Sequence, residues 1–335
     1  MHLDTILTVS SFKDVAQLAR TVEDVGFDAL WSLENRHEPF MPLAVAASAT
    51  EKLHLGTSIA LAFVRSPMNL AYTAWDLQAG SNGRFILGLG TQVKGHNERR
   101  YSVKWESPGP KLRELVQALR AIWDCWQNGT RLNFNGKFYS FTLMPPAFSP
   151  DKIAHPHVPI YVAGVNPYMC RLAGEVGDGF HVHPFHSTKY LRDSVLPQIK
   201  EGARKAGRSP ADVSIVLIMH CCVCADRSVA LRSVKRTLSF YGRMPFYNRL
   251  FARQGYVKEA EAITAGWTKG DAKAAADAVS DQMAEQVAAF GSAQDCQKKV
   301  EEFEKAGASY VVLYPTAIDG DYDRGVKAVL AAFGG

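Results

Sequence analysis

Eight short apolar runs, each followed by a helical pattern, predict an α/β protein, a (β/α)8 TIM barrel with insertions. The runs are residues 3–9, 27–32, 53–61, 84–89, 158–163, 179–183, 213–223 and 309–314. A length of 335 residues leaves room for such a barrel, which needs ~250, plus two insertions. Strands that alternate with helices argue for a parallel sheet, because parallel neighbours need a crossover. An open doubly wound sheet is the alternative, since strand order cannot be read from the chain.

The helical patterns cover residues 13–25, 42–50, 67–79, 110–127, 167–176, 189–206, 293–306 and 324–333. In the first, Val15, Leu18, Ala19 and Val22 share one face at spacings of three and four. Pro67 and Pro110 suit a first helical turn, and Gly26, Gly129, Gly177, Gly207 and Gly307 suit C-terminal caps. Two stretches break the rhythm. Residues 132–141 alternate apolar side chains about Asn135-Gly136, a hairpin signal, before a proline-rich crossing. Residues 225–292 are helical and alanine-rich. The expectation is one barrel domain over 1–335 with insertions near 128–157 and 225–292, each long enough for a lid or an oligomer surface.

Composition bounds the partners. A net charge of +5 with 47% hydrophobic residues excludes a disordered chain, and with no long basic run it is a weak signal for nucleic acid. Cys221, Cys222 and Cys224 lie in an apolar run and read as small hydrophobes rather than a zinc knuckle. Met1-His2-Leu3-Asp4 has no leader pattern, and no apolar run approaches ~18 residues. The expectation is a cytoplasmic protein with neither a nucleic-acid nor a membrane partner. The apolar insertions make a homodimer the expected assembly.

Barrel chemistry sits where strands end. After the second run come Glu34, Arg36, His37 and Glu38, a set able to exchange protons near neutral pH, or a solvated loop of local ion pairs. The third ends in Gly56-Thr57-Ser58-Ile59, small enough for a flat ligand to lie on backbone. The fourth ends in Gly88-Leu89-Gly90-Thr91-Gln92. It is no dinucleotide fingerprint, because Val93 stands where a third glycine is needed. After the fifth, Ala163-Gly164-Val165-Asn166 enters a helix whose free N–H groups suit a phosphate; Asn166 also reads as an ordinary cap. The sixth carries His181, His183 and Phe185, read as lining for a substrate. The two histidines also have metal-ligand spacing, which keeps a barrel metallohydrolase as a rival.

The ordered motifs Gly26-Phe27-Asp28-Ala29-Leu30-Trp31, Leu55-Gly56-Thr57-Ser58-Ile59, Gly83-Arg84-Phe85-Ile86-Leu87-Gly88-Leu89-Gly90, Asn135-Gly136-Lys137-Phe138-Tyr139, Pro159-Ile160-Tyr161-Val162-Ala163-Gly164 and Ala173-Gly174-Glu175-Val176-Gly177-Asp178-Gly179 span nearly the whole chain. In that order they resemble the bacterial-luciferase-like oxidoreductases. Ala74-Trp75-Asp76-Leu77-Gln78 and the run from His181 to His186 resemble a branch using coenzyme F420. The resemblance implies a luciferase-like TIM barrel and a hydride transfer between deazaflavin C5 and a small organic substrate. A reduced-FMN monooxygenase, fed by a separate reductase partner, is the alternative within the family. It implies a cis bulge at Ser58-Ile59 under the ring, with Thr91 and Gln92 beside it. Ala163, Gly164, Val165 and Asn166 would then hold the phosphate. The family's histidine after the second strand corresponds to His37, the candidate proton donor or acceptor, with Glu34 tuning or orienting it. Two departures disfavour a sugar-phosphate substrate: Gln92 stands near a glutamate of that branch, and Phe185-His186 stand where it carries a lysine.

Overall fold

The computed structural model describes residues 2–8 and 11–334; Val9 and Ser10, expected at the end of the first strand, lie outside the described residues. Strand β1 (Leu3–Ile6) leads to α1 (Phe12–Asp24), β2 (Ala29–Ser32) to α2 (Phe40–Ala49), and β3 (His54–Thr57) through β4 (Ala60–Leu61) to α3 (Pro67–Gly80). After β5 (Phe85–Gly90) come α4 (Lys94–Arg100) and α5 (Pro108–Asn128). The hairpin β6 (Phe134–Asn135) and β7 (Ser140–Phe141) precedes β8 (Ile160–Gly164) and α6 (Pro167–Val176). Strand β9 (Gly179–Val182) feeds α7 (Thr188–Tyr190), a π-helical turn and α8 (Leu196–Lys205). Beyond β10 (Ser214–Val223) lie five helices: α9 (Arg227–Gly242), α10 (Pro245–Arg253), α11 (Val257–Thr268), α12 (Ala272–Asp277) and α13 (Asp281–Val287). The chain ends with β11 (Ala289–Gly291), α14 (Ala293–Lys305), β12 (Tyr310–Pro315) and α15 (Tyr322–Phe333).

Strands β1, β2, β3, β5, β8, β9, β10 and β12 pair in that order, all parallel, and β12 pairs back to β1. The eight-stranded barrel is therefore closed, and the open-sheet alternative falls. The run expected as one strand at 53–61 divides at a cis Ser58–Ile59 peptide, and β4 rejoins the sheet beside β5. The hairpin forms around a buried carboxylate: Glu114 accepts from the N–H groups of Lys137, Phe138 and Tyr139. Gly26, Gly129, Gly207 and Gly307 adopt the left-handed caps expected of them. Gly177 does not. It sits in extended backbone (φ −90°), where space rather than handedness selects it: a Cβ there would meet Ala173 O at 3.0 Å.

Alternation along each strand sends one row outward under the helices and the other into the barrel. Leu30, Leu55, Leu87, Val162, Leu217 and Leu313 are buried in the outer layer. Inside, Trp31 and Tyr161 are the large side chains, and their strand neighbours are glycines. Gly56 is paired with Trp31, and a Cβ on it would lie 2.3 Å from the indole. Gly179 is paired with Tyr161, and its Cβ would lie 2.6 Å from that ring. A Cβ on Gly88 would lie 1.8 Å from Thr57 O and 2.7 Å from His181 Nε2. Large side chains thus fill the axis only because their neighbours have none.

The indole N–H of Trp31 donates to Asp4 Oδ2 at 2.8 Å, while Asp4 Oδ1 is buried without a partner. Burial pushes the Asp4 carboxyl up to about 8, against the Trp31 bond. The native state therefore keeps a proton that an unfolded aspartate releases, so this contribution is present at acid pH and fades as pH rises through about 8. From pH 6.5 to 8 we expect the protein to lose ~1–2 kcal/mol, read by thermal melts. Asp4→Asn keeps an acceptor for Trp31 and should flatten that slope.

Candidate functional site

The C-terminal ends of the barrel strands form the mouth. On its β3 side, the turn through Ser58 and Ile59 is held from below and beside. Thr57 Oγ1 donates to Gly88 O at 2.7 Å and accepts from Gly88 N at 2.9 Å. Glu34 Oε2 accepts from Leu61 N and from Arg65 Nη1, each at 2.8 Å, and its other oxygen accepts from Arg65 Nη2 at 3.0 Å. This two-pronged ion pair is largely out of solvent, with side-chain exposures of 20% for Arg65 and 6% for Glu34, so little water competes for its bonds. Glu34 was expected to orient His37. Its carboxylate instead meets Arg65 and Leu61 N, beside the bulge. His37 is exposed on the loop that follows β2.

At the end of β5, Gly90 leaves bare backbone against Ile59, whose Cδ1 would lie 2.8 Å from a Cβ placed there. Gln92 takes a left-handed backbone (φ 57°), unusual for a residue with a side chain. Buried Asn97 secures this turn by donating to Thr91 O and Val93 O, one residue to either side of Gln92. Across the mouth, Asn166 caps α6 by accepting from Met169 N at 3.0 Å, and Pro167 supplies the first turn. Gly164 is tight, since a Cβ would meet Met169 Cβ at 2.3 Å.

Strands β9, β10 and β12 supply an aromatic and imidazole wall. The His183 ring stacks on Tyr247 of α10 at 4.4 Å, and His220 stacks on Tyr314 at 4.9 Å. Tyr241 of α9 reaches the His220 ring at 5.7 Å. Burial pushes His181 down to about 3 and His186 and His220 to about 4. It also carries His183 well below the ordinary range, helped by the neighbouring imidazoles of His186 and His220. All four rings are neutral at pH 7, so their face of the mouth is polar without being charged. Burial raises the Tyr314 hydroxyl, opposed by Tyr241 and by the charge of Arg36, which faces it from the β2 loop.

The mouth also gathers buried polar atoms that no protein group satisfies. They are Ser58 Oγ, His183 Nδ1, His220 Nε2 and Thr316 Oγ1, from four different strand ends. His181, expected to line the substrate, lies deeper, 2% exposed, edge-on to Trp31 at 4.8 Å. Phe185 is a correction. It is fully buried in a second apolar core with Tyr241, Tyr247 and Phe251, because the insertion helices close over it. Tyr241, Tyr247 and Thr316 were not singled out from sequence. The inward rows of β10 and β12 could have pointed to Thr316, but nothing local marks two tyrosines of an insertion as barrel-rim residues. The six cysteines are free thiols, among them Cys221, Cys222 and Cys224 of the apolar run. Among the described residues no three His, Cys, Asp or Glu side chains gather as a metal site, and no helix is long and apolar enough to cross a membrane.

A closed parallel barrel with bare backbone, an anchored bulge and partnerless polar atoms at one end is an enzyme architecture of the small-molecule kind. The chain belongs to the luciferase-like monooxygenase family, whose profile matches residues 2–310, and it is an oxidoreductase. It is 41% identical over 244 residues to an uncharacterised protein of Mycobacterium tuberculosis, 72% of each chain. It is 27% identical over 310 residues to the 5,10-methylenetetrahydromethanopterin reductase of Archaeoglobus fulgidus, covering 90% of this chain and 89% of that one. The coenzyme F420-dependent tetrahydromethanopterin reductase of Methanopyrus kandleri superposes with a TM-score of 0.79 at 22% identity, over 98% of each chain. None of these similarities supports the metallohydrolase alternative.

The buried imidazoles set an acid limit. Their native pKa values are depressed, so unfolding takes up protons below the unfolded value of ~6.5, and stability falls as pH drops from there toward 4. Asp4 opposes this, one group against four. We expect acid melts of the native protein to steepen below pH 6.5, and His220→Gln to make the slope shallower by ~1 kcal/mol per pH unit.

Proposed function

We propose that the chain is a coenzyme F420-dependent oxidoreductase acting on a small, uncharged organic substrate at the barrel mouth. The observation that carries this reading is the ring of partnerless polar atoms from Ser58, His183, His220 and Thr316. Each costs ~1–3 kcal/mol if left without a partner, and a flat ligand with a polar edge would satisfy them. The residues present fit such a group: Gly90 and the Ser58–Ile59 bulge offer backbone to a planar ring, and the cap of α6 offers N–H groups to a phosphate. Similarity to relatives named as F420-dependent, an oxidoreductase of Mycobacterium tuberculosis and a glucose-6-phosphate dehydrogenase of Nakamurella multipartita, supports the choice of ring.

When bound, the deazaflavin would supply a carbon, C5, that accepts or gives a hydride. The chain's own residues have separate duties. Ser58 and Ile59 support the ring, Thr91 and Gln92 border it, and Ala163, Gly164, Val165 and Asn166 hold the phosphate. Glu34 keeps the bulge in place through Arg65 and Leu61 N. His37, exposed beside the mouth, donates or accepts the substrate proton. His183, His220 and Tyr314 face the substrate as neutral polar groups, which suits a carbonyl or hydroxyl better than a phosphate.

Titration of the purified protein with oxidised F420 and, separately, with FMN, followed by ring fluorescence, tests the reading. Tight F420 and weak FMN binding is the expected result; FMN preference would move the protein to the monooxygenase side of the family. Asn166→Asp preserves the helix cap while adding a negative charge, and should weaken F420 binding about five- to tenfold. With a hydride donor that reduces bound F420, His37→Ala should lower turnover ~100-fold or more while leaving F420 affinity nearly unchanged. Unaltered turnover would remove His37 from the mechanism.

A further inference from the structure

Residues 227–258 carry eight cations, Arg227, Arg232, Lys235, Arg236, Arg243, Arg249, Arg253 and Lys258, and no carboxylate. That local excess is larger than the net charge of the whole chain, +5, so positive charge is concentrated on α9 and α10, while Glu259 stands beside Lys258 in the first turn of α11. Only Arg227 and Lys235 have acidic partners among the described residues, Glu285 and Asp281. The other six cations are exposed. Large apolar side chains stand among them: Phe240 is 45% exposed, Met244 39%, Phe246 43% and Val257 49%.

The two kinds of side chain are organised together. In α10, Phe246, Arg249 and Arg253 form an outer stripe at spacings of three and four, while Leu250 and Phe251 are buried beneath. The Arg243 guanidinium lies 4.2 Å over Phe240 and 5.5 Å from Trp267, and Arg249 lies 5.1 Å over Phe246. The apolar face of α10 is used by the core, so its outer face offers a lipid interface cations with exposed aromatics between them. Guanidinium groups already cover faces of Phe240 and Phe246, where unpaired bases would stack, which favours lipid over single-stranded nucleic acid. A symmetric contact with a second copy would set this patch against itself, positive on positive.

We propose that the α9–α10 corner is a docking surface for an anionic lipid membrane. The cations approach the headgroups, and Phe240, Met244 and Phe246 enter the interface between them. Tyr241 and Tyr247, on the opposite side of the same corner, pack at the barrel rim, so docking sets the mouth about one helix diameter, ~10 Å, from the lipid. This revises the expectation of no membrane partner, and it does not depend on which cofactor the barrel holds.

The experiment is co-sedimentation of the full chain with vesicles of equal parts phosphatidylglycerol and phosphatidylcholine, beside pure phosphatidylcholine vesicles and a uridine homopolymer. Binding to the anionic vesicles alone is expected, and it should fade at about 0.5 M salt, where screening reaches a few ångströms. Each cation removed should weaken partition about fivefold, so Arg243→Gln/Arg249→Gln should weaken it about 25-fold. Lys13→Gln/Lys52→Gln removes equal charge elsewhere on the surface and should change it less than about twofold. All four sites are exposed, and unchanged melting temperatures would show the variants fold. Equal binding to neutral vesicles, binding to the homopolymer alone, equal loss in both double variants, or no binding to any probe would each overturn the proposal.

Discussion

Trp31 lies inside the barrel with its N–H held by Asp4, and the closure of the sheet depends on that side chain having room. Eight strands enclose an interior that side chains must fill completely, since a void forfeits contact on every wall. Trp31 and Tyr161 supply the bulk, and register puts glycine beside each of them: Gly56 next to Trp31, and both Gly88 and Gly179 next to Tyr161. The same glycines bring backbones close. Thr57 can bridge to both polar groups of Gly88 because no Cβ intervenes, and that bridge is the floor of the Ser58–Ile59 bulge. The packing of the axis and the shape of the mouth are therefore one constraint.

Above that floor the mouth has two unlike halves. One is backbone and small residues from the bulge, Gly90 and Ala163, anchored by the Glu34–Arg65 pair and by Asn97. The other is a wall of imidazole and phenol rings whose neutrality follows from burial, since a charged imidazole there would give up its hydration with no carboxylate to repay it. A planar cofactor suits the first half, and an uncharged substrate suits the second. The insertion of α9–α13 serves both sides of its own thickness, giving Tyr241 and Tyr247 to the wall and its cations to solvent.

Much of the barrel was legible in the chain because periodicity is a local property: alternation of apolar runs with amphipathic stretches marked all eight strands, and glycines with positive φ marked four helix ends. The ends of the elements were less legible, and 53–61 divided into two strands because pairing with β5, not propensity, decides where the chain rejoins the sheet. Candidate residues at strand ends were found by counting along strands. Their partners were not. Glu34 stood three residues from His37 in sequence, yet its carboxylate meets Arg65, 31 residues away, because the β4 turn brings that guanidinium alongside. Phe185 looked like lining since it follows two inward histidines, but helices 60 residues later cover it.

The sequence by itself determined the class of fold, the order of the strands along the chain and the family, since these rest on periodicity and on motifs that neighbouring residues complete. Tertiary structure decided which polar atoms are left without partners, which imidazoles are stripped of water, and which charges stay exposed. Those properties belong to a residue's surroundings, and the surroundings of Ser58, His183, His220 and Arg249 are assembled from segments that only the closed barrel brings together.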